Sequence, residues 1–121
     1  MDITPIPRLG QSHIQSYSAG MFRVNGEIYK TPLIVLPESV DVWTVVPDDL
    51  FALSSFEYLA GKIDVLLIGT GARMVLCLPA QRGAFKMLGM SVDTMDTPAA
   101  CRTFNVLNSE GRRVCAALVP V

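Results

Sequence analysis

IDVLLIGTGARM, residues 63–74, begins with a nearly unbroken apolar run that ends on Gly69. A run without polar alternation suits a strand covered on both faces, so 63–69 is expected to be a central strand of an α/β sheet. The glycines after it resemble a nucleotide loop, because Asp93 follows 22 positions after Gly71 at the next strand-like stretch. A dinucleotide fingerprint needs a third glycine where Met74 stands, and a helix must start inside the loop to hold the pyrophosphate. MVLCLP follows instead, and no GKS or GKT occurs. Gly71 therefore reads as a turn of positive φ, and Gly69 as a point where a neighbouring segment passes close.

Toward the C-terminus, Pro79 opens a helix over PAQRGAFKMLG, which Gly83 weakens and Gly89 closes. MSVDTM at 90–95 is strand-like, 98–109 is helical, and RVCAALV at 113–119 is the last strand. Toward the N-terminus, LFALSSFEYLAG at 50–61 has Leu50, Leu53 and either Phe56 or Glu57 at helical spacing. That helix is expected to start at Pro47-Asp48-Asp49, with acids at its positive end, and to stop at Gly61. VDVWTVV at 40–46 reads as a strand. Earlier still, Asn25-Gly26 supplies the positive φ angles of a tight hairpin, which would put Phe22, Val24 and Ile28 on one core-facing side. LIVLP at 33–37 continues as a more buried strand. Residues 1–12, with Pro5, Pro7 and Gly10, form a loosely packed lead-in to a single domain over 1–121. A β-rich half followed by alternating strands and helices gives a layered α/β domain with a mixed sheet.

MDTPAACRTFN, residues 95–105, gathers an acid, a hydroxyl, a thiol, a guanidinium and an amide. Thr97 before Pro98 fits a helix N-cap, with Asp96 adding favourable charge. Ala100, Thr103, Phe104 and Leu107 then share the core side, while Cys101, Asn105 and Asn108 form a flank and Arg102 points away. Gly111 is free to take the left-handed cap. Near the helix start the Cys101 thiol could be activated, but a nucleophile needs a base, and the only histidine is His13. Asn105 could reach backbone in the glycine loop. If 63–68 and 90–95 are parallel neighbours, Gly69, Thr70, Gly71 and Arg73 meet Asp96, Thr97, Cys101, Arg102 and Asn105 at one sheet edge. Ligands of open α/β sheets gather at such an edge, so these nine residues make a candidate anion cradle.

Composition narrows the partners. Ten Lys plus Arg against eleven Asp plus Glu gives no basic excess for nucleic acid. Half the residues are apolar, enough for a core in a chain of this size. Cys77, Cys101 and Cys115 are widely spaced without a CxxC, and with one histidine they do not suggest a metal site. A reducing compartment fits unpaired thiols. No signal or transit peptide is visible, and VLLIG at 65–69 is far too short to span a bilayer, so a cytoplasmic protein is expected.

LLIGTG at 66–71, MDTPAACRTFNVL at 95–107 and EGRRVCAAL at 110–118 resemble signature blocks of the family of the mitochondrial respiratory complex I assembly factor 3. GMFRVNGEIYKTPLIVLP at 20–37, with Trp43 beyond it, resembles that family's N-terminal half, so the likeness covers nearly the whole chain. The resemblance implies a single three-layer α/β domain with a central mixed sheet and an extra small antiparallel β element. It implies no catalysis, cofactor or agreed functional residues. Its mitochondrial members act by binding another assembly factor and early membrane-arm subunits of NADH:ubiquinone oxidoreductase. The leading expectation is thus a non-enzymatic interaction or assembly domain with a protein partner. A small-anion or metabolite binder at the glycine-loop edge is the alternative, and a thiol enzyme using Cys101 the third.

Overall fold

The computed structural model describes residues 10–45 and 48–121. The first nine residues of the expected lead-in, Val46 of the expected 40–46 strand and the helix start at Pro47 lie outside the described residues. The end of the lead-in is docked: Ser12 is buried, and its N–H donates to the Pro37 carbonyl at 2.8 Å.

Three short strands come first, β1 (Ile14–Ser18), β2 (Met21–Val24) and β3 (Glu27–Tyr29), in one antiparallel sheet. The turn between β2 and β3 is Asn25-Gly26, at φ 50 and 84, as the dipeptide demands. A second two-residue turn, Ala19-Gly20, joins β1 to β2. It carries a weaker signal than Asn-Gly, and sequence reasoning did not separate the two strands it joins. Phe22 and Val24 are buried, but Ile28 is 54% exposed, which corrects the expected face. Pairing across the two-residue turn sets Val24 opposite Glu27 and Phe22 opposite Tyr29, so Ile28 falls opposite Arg23 on the outer side.

β4 (Leu33–Leu36), β5 (Ser39–Val42), β6 (Val65–Gly69), β7 (Ser91–Met95) and β8 (Val114–Leu118) form a mixed sheet in the order β5-β4-β8-β6-β7. β6 is flanked by parallel partners on both sides, while β4 runs antiparallel to β8 and β5. Helix α1 (Pro79–Met87) connects β6 to β7, and α2 (Thr97–Ser109) returns from β7 across β6 to β8. The two crossovers run in opposite directions along the sheet, so right-handed connections put their helices on opposite faces. Alternation along β6 shows this. Leu66 and Ile68 join a core with Phe56, Phe85 and Cys77, whereas Leu67 packs with Ala100, Cys101, Phe104 and the Ile14, Phe22 and Val24 side chains. The result is a three-layer α/β domain with the small antiparallel sheet sharing the α2 layer.

Residues 50–61 do not form the expected α-helix. They make two 3₁₀ turns, Leu53–Ser55 and Glu57–Leu59, that lead to Gly61 at φ 80. So short a segment, with Ser54-Ser55 at its centre, nucleates a helix poorly. Burial of Phe51, Phe56, Leu59 and Ile63 against the sheet then sets its course. Phe56 bridges Trp43 and Phe85, with ring centroids 5.6 and 5.7 Å away. No helix among the described residues is long and apolar enough to cross a membrane.

Candidate functional site

Gly69, Thr70 and Gly71 do meet the start of α2, because β6 and β7 are parallel and Gly69 lies level with Met95. An added Cβ on Gly69 would meet the Thr97 Cα at 3.0 Å, the Ala100 Cβ at 3.1 Å and a Leu118 methyl at 3.1 Å. Glycine is what lets α2 sit this close to the strand. Gly71 takes a φ of 97, as the turn reading required.

The helix cap differs from expectation. Asp96, not Thr97, is the N-cap, its carboxylate accepting the Ala99 N–H at 2.8 Å. The charge nearest the helix's positive end is thus the chain's own carboxylate. Thr97 is fully buried and turned into the corner. Its hydroxyl accepts the Gly71 N–H at 2.9 Å and donates to the Val119 carbonyl at 2.6 Å, while its own N–H donates to the Gly71 carbonyl at 2.8 Å. Thr70 donates its N–H to the Met95 carbonyl at 2.9 Å. The N–H groups that sequence reasoning offered to an anion are therefore bonded to the chain itself.

The other four residues of the proposed cradle face elsewhere. Arg73 is exposed on the loop beyond Gly71. Arg102 is exposed one turn along α2, where its Nη1 donates to the Tyr17 hydroxyl at 3.2 Å. Asn105 does not reach the glycine loop. It is buried against β1, its Oδ1 accepting the Ile14 N–H and its Nδ2 donating to the Ile14 carbonyl, both at 2.9 Å. Asn108 repeats the device one turn later, donating to the Ser12 and Pro37 carbonyls at 3.1 Å. The buried side of α2 is Thr97, Ala100, Cys101, Phe104, Asn105 and Asn108, so the expected flank is the inner face, and Thr103 and Leu107 are only half-buried. The small sheet supplies the missing layer over that flank, and its contact could not be read from helical spacing.

Cys101 has no solvent exposure. Burial pushes its thiol up to about 12, against a smaller opposing pull from Arg102. Burial likewise raises Cys77 and, more strongly, Cys115. These thiols are protonated at neutral pH, the reverse of an activated nucleophile. No group of His, Cys, Asp or Glu among the described residues is arranged to hold a metal.

Open surface lies away from the corner. A cleft of about 470 Å³ between α1 and the starts of β6 and β7 is lined by Asp64, Arg82, Lys86, Ser91 and neighbours. Arg82 Nη1 there donates to the Val92 carbonyl on the edge strand at 2.6 Å. Asp64 is held by the Arg113 guanidinium at 2.8 and 3.0 Å, which keeps its carboxyl below the usual range. Sequence reasoning missed this end of the sheet, because no local motif marks it.

The sequence pattern of a family described as "Protein of unknown function (DUF498/DUF598)" matches residues 14–119. NADH dehydrogenase (ubiquinone) 1 alpha subcomplex assembly factor 3 of Bos taurus is 39% identical over 113 residues, covering 89% of this chain and 60% of that protein. The chain thus spans about 60% of the length of that relative. An uncharacterised protein of Rhodobacter capsulatus is 39% identical over 112 residues, covering 93% of this chain and 87% of its own length. Among solved structures, a Bordetella parapertussis protein superposes with a TM-score of 0.83 at 36% identity, covering 95% of this chain and all of that one.

Proposed function

Since the chain belongs to the DUF498/DUF598 family, and relatives matching most of its length are named as complex I assembly factors, we propose that it is an assembly-type interaction domain. It holds a protein partner and does not transform a substrate. One observation carries the reading: the reactive-looking block at 95–108 is spent on architecture. Asp96 caps, Thr97 ties the corner, Cys101 is sealed with its proton on, and Asn105 and Asn108 hold the small sheet. Among the polar side chains of that block, Arg102 is the exposed one. It shares the outer side of α2 with Val106, 44% exposed and four residues on, beside the Tyr17 hydroxyl. Arginine and tyrosine are residue types that anchor protein contacts.

Affinity capture of the tagged chain from its own cells tests this. Subunits or assembly intermediates of a respiratory NADH dehydrogenase should be recovered, and Arg102→Glu with Val106→Asp should lose them without lowering the melting temperature. Recovery unchanged by the paired substitution, or a steady-state turnover of a small molecule by the purified chain, would overturn it.

A further inference from the structure

The most apolar surface of the protein is not on α2. Of the nine large hydrophobic side chains exposed among the described residues, five lie within residues 74–87. They are Met74 at 55%, Val75 at 46%, Leu76 at 69%, Leu78 at 60% and Met87 at 87% exposed. Consecutive exposed apolar residues are uncommon on a soluble surface and mark contact with another phase or molecule.

Their exposure is built in. The Thr70 hydroxyl donates to the Arg73 carbonyl and accepts the Val75 N–H at 3.2 Å, closing the loop at its root. Cys77 is buried in the core on the α1 side and pins the far end. Gln81 accepts the Leu78 N–H at 2.8 Å and starts α1 directly after. On α1, Phe85 faces the core, while Ala80, Gly83 and Met87 follow one another along an exposed line beside Arg82 and Lys86. Loop and helix therefore present one surface, apolar at its crest and basic along its side.

Charge selects what covers it. From Thr70 to Val92 the chain has Arg73, Arg82 and Lys86 and no acid, whereas the remaining residues hold seven bases and eleven acids. A two-fold contact with a second copy would bring these cations near their own images, and Asp64, the carboxylate beside Arg82 and Lys86, is already held by Arg113. The crest side chains stand out from the surface and do not line the α1 cleft, so they suit insertion into a fluid apolar layer. Met and Leu above, with Arg and Lys at the level of phosphate, is the arrangement of an interfacial membrane contact.

We propose that the Met74–Leu78 loop and the outer side of α1 are a docking surface for an anionic lipid bilayer. The loop enters the headgroup boundary, and Arg73 and Lys86 engage lipid phosphates. The contact lies on the face of the main sheet opposite α2, which leaves the Arg102–Val106 side turned away from the lipid. The assignment stands apart from the protein partner proposed above and is tested on the purified chain alone.

Sedimentation with vesicles of phosphatidylcholine, with and without an equal part of phosphatidylglycerol, reads it directly. The protein should bind the anionic vesicles, bind neutral ones far less, and release as salt rises. Arg73→Gln and Lys86→Gln should each lower partitioning about fivefold, and Leu76→Asp about tenfold or more. Arg82 is left in place because it holds the Val92 carbonyl. All three substituted positions are exposed, so unchanged melting curves will show that the fold is intact. Absence of vesicle binding, equal binding to neutral lipid, or binding indifferent to Leu76→Asp would overturn the proposal. So would concentration-dependent self-association that Leu76→Asp abolishes, or nucleic acid displacing the vesicles.

Discussion

Asn105→Asp puts the contact between α2 and β1 under the control of pH. In the parent protein the amide offers Ile14 one acceptor and one donor at 2.9 Å, from a side chain only 2% exposed. A protonated carboxyl has the same pair of functions, but a carboxylate can only accept and would face the Ile14 carbonyl with a negative charge. Burial disfavours that charge, so the new group's folded pKa must rise above its unfolded value of about 3.9. The folded state then holds a proton that the unfolded state has lost. Stability is retained below the unfolded pKa and falls as pH rises toward the folded one, by up to about 1.4 kcal/mol per pH unit relative to the parent. Asn105→Ala removes both bonds at every pH and strands two buried backbone groups at about 1–3 kcal/mol each. That is a large share of the roughly 5–15 kcal/mol that holds a domain together. Urea unfolding followed by circular dichroism should therefore place the alanine variant's midpoint about 1–3 M below the parent. The aspartate variant should lie near the parent at about pH 4 and diverge from it toward pH 8. An aspartate variant parallel to the parent across that range, or an alanine variant within about 0.5 kcal/mol of it, would refute the clamp.

Two glycine substitutions should act with opposite sign. Gly69→Ala forces a methyl against the Thr97 backbone and should cost about 1–3 kcal/mol. Gly83→Ala fills open space inside α1 and should gain about 0.5–1 kcal/mol; calorimetric melting temperatures distinguish the two. The buried thiols predict alkaline weakness. Cys101 and Cys115 keep their protons in the folded state well above the free thiol value, so stability should decline from about pH 9 upward, by as much as about 2.7 kcal/mol per pH unit while both hold. Iodoacetamide should label Cys101 only as fast as the chain unfolds, and rapid labelling under native conditions would contradict this.

Strong local signals survived folding. The run expected as a strand at 63–69 forms one over Val65–Gly69, and the Asn25-Gly26 turn and the proline and glycine bounds of α1 stand where sequence reasoning set them. The losses share one cause, which is a partner distant along the chain. Ile28 fell on the outer side because a two-residue turn preserves pairing across the hairpin, and face assignment must follow the pairing. Residues 50–61 carry apolar spacing that passes for helical, yet their course follows the sheet beneath them. Asn105 and Asn108 sat on the correct flank of α2, but their partners lie 91 and 96 residues away, beyond any periodicity. Reading the corner found the right neighbours, Gly71 and Thr97, without showing that they would bond to each other. The exposed loop was legible as MVLCLP all along, but composition alone treats apolar residues as interior.

The small sheet closes on residues more than ninety positions further along the chain. Ile14 needs Asn105, Ser12 needs Asn108, and the Gly20 N–H at the first hairpin donates to the carbonyl of Val121 at 2.6 Å. A ribosome releases these strands well before the shelf they rest on. Until α2 follows, the hairpins wait with Phe22 and Val24 uncovered. The small sheet thus comes to rest only after a helix made much later in the chain.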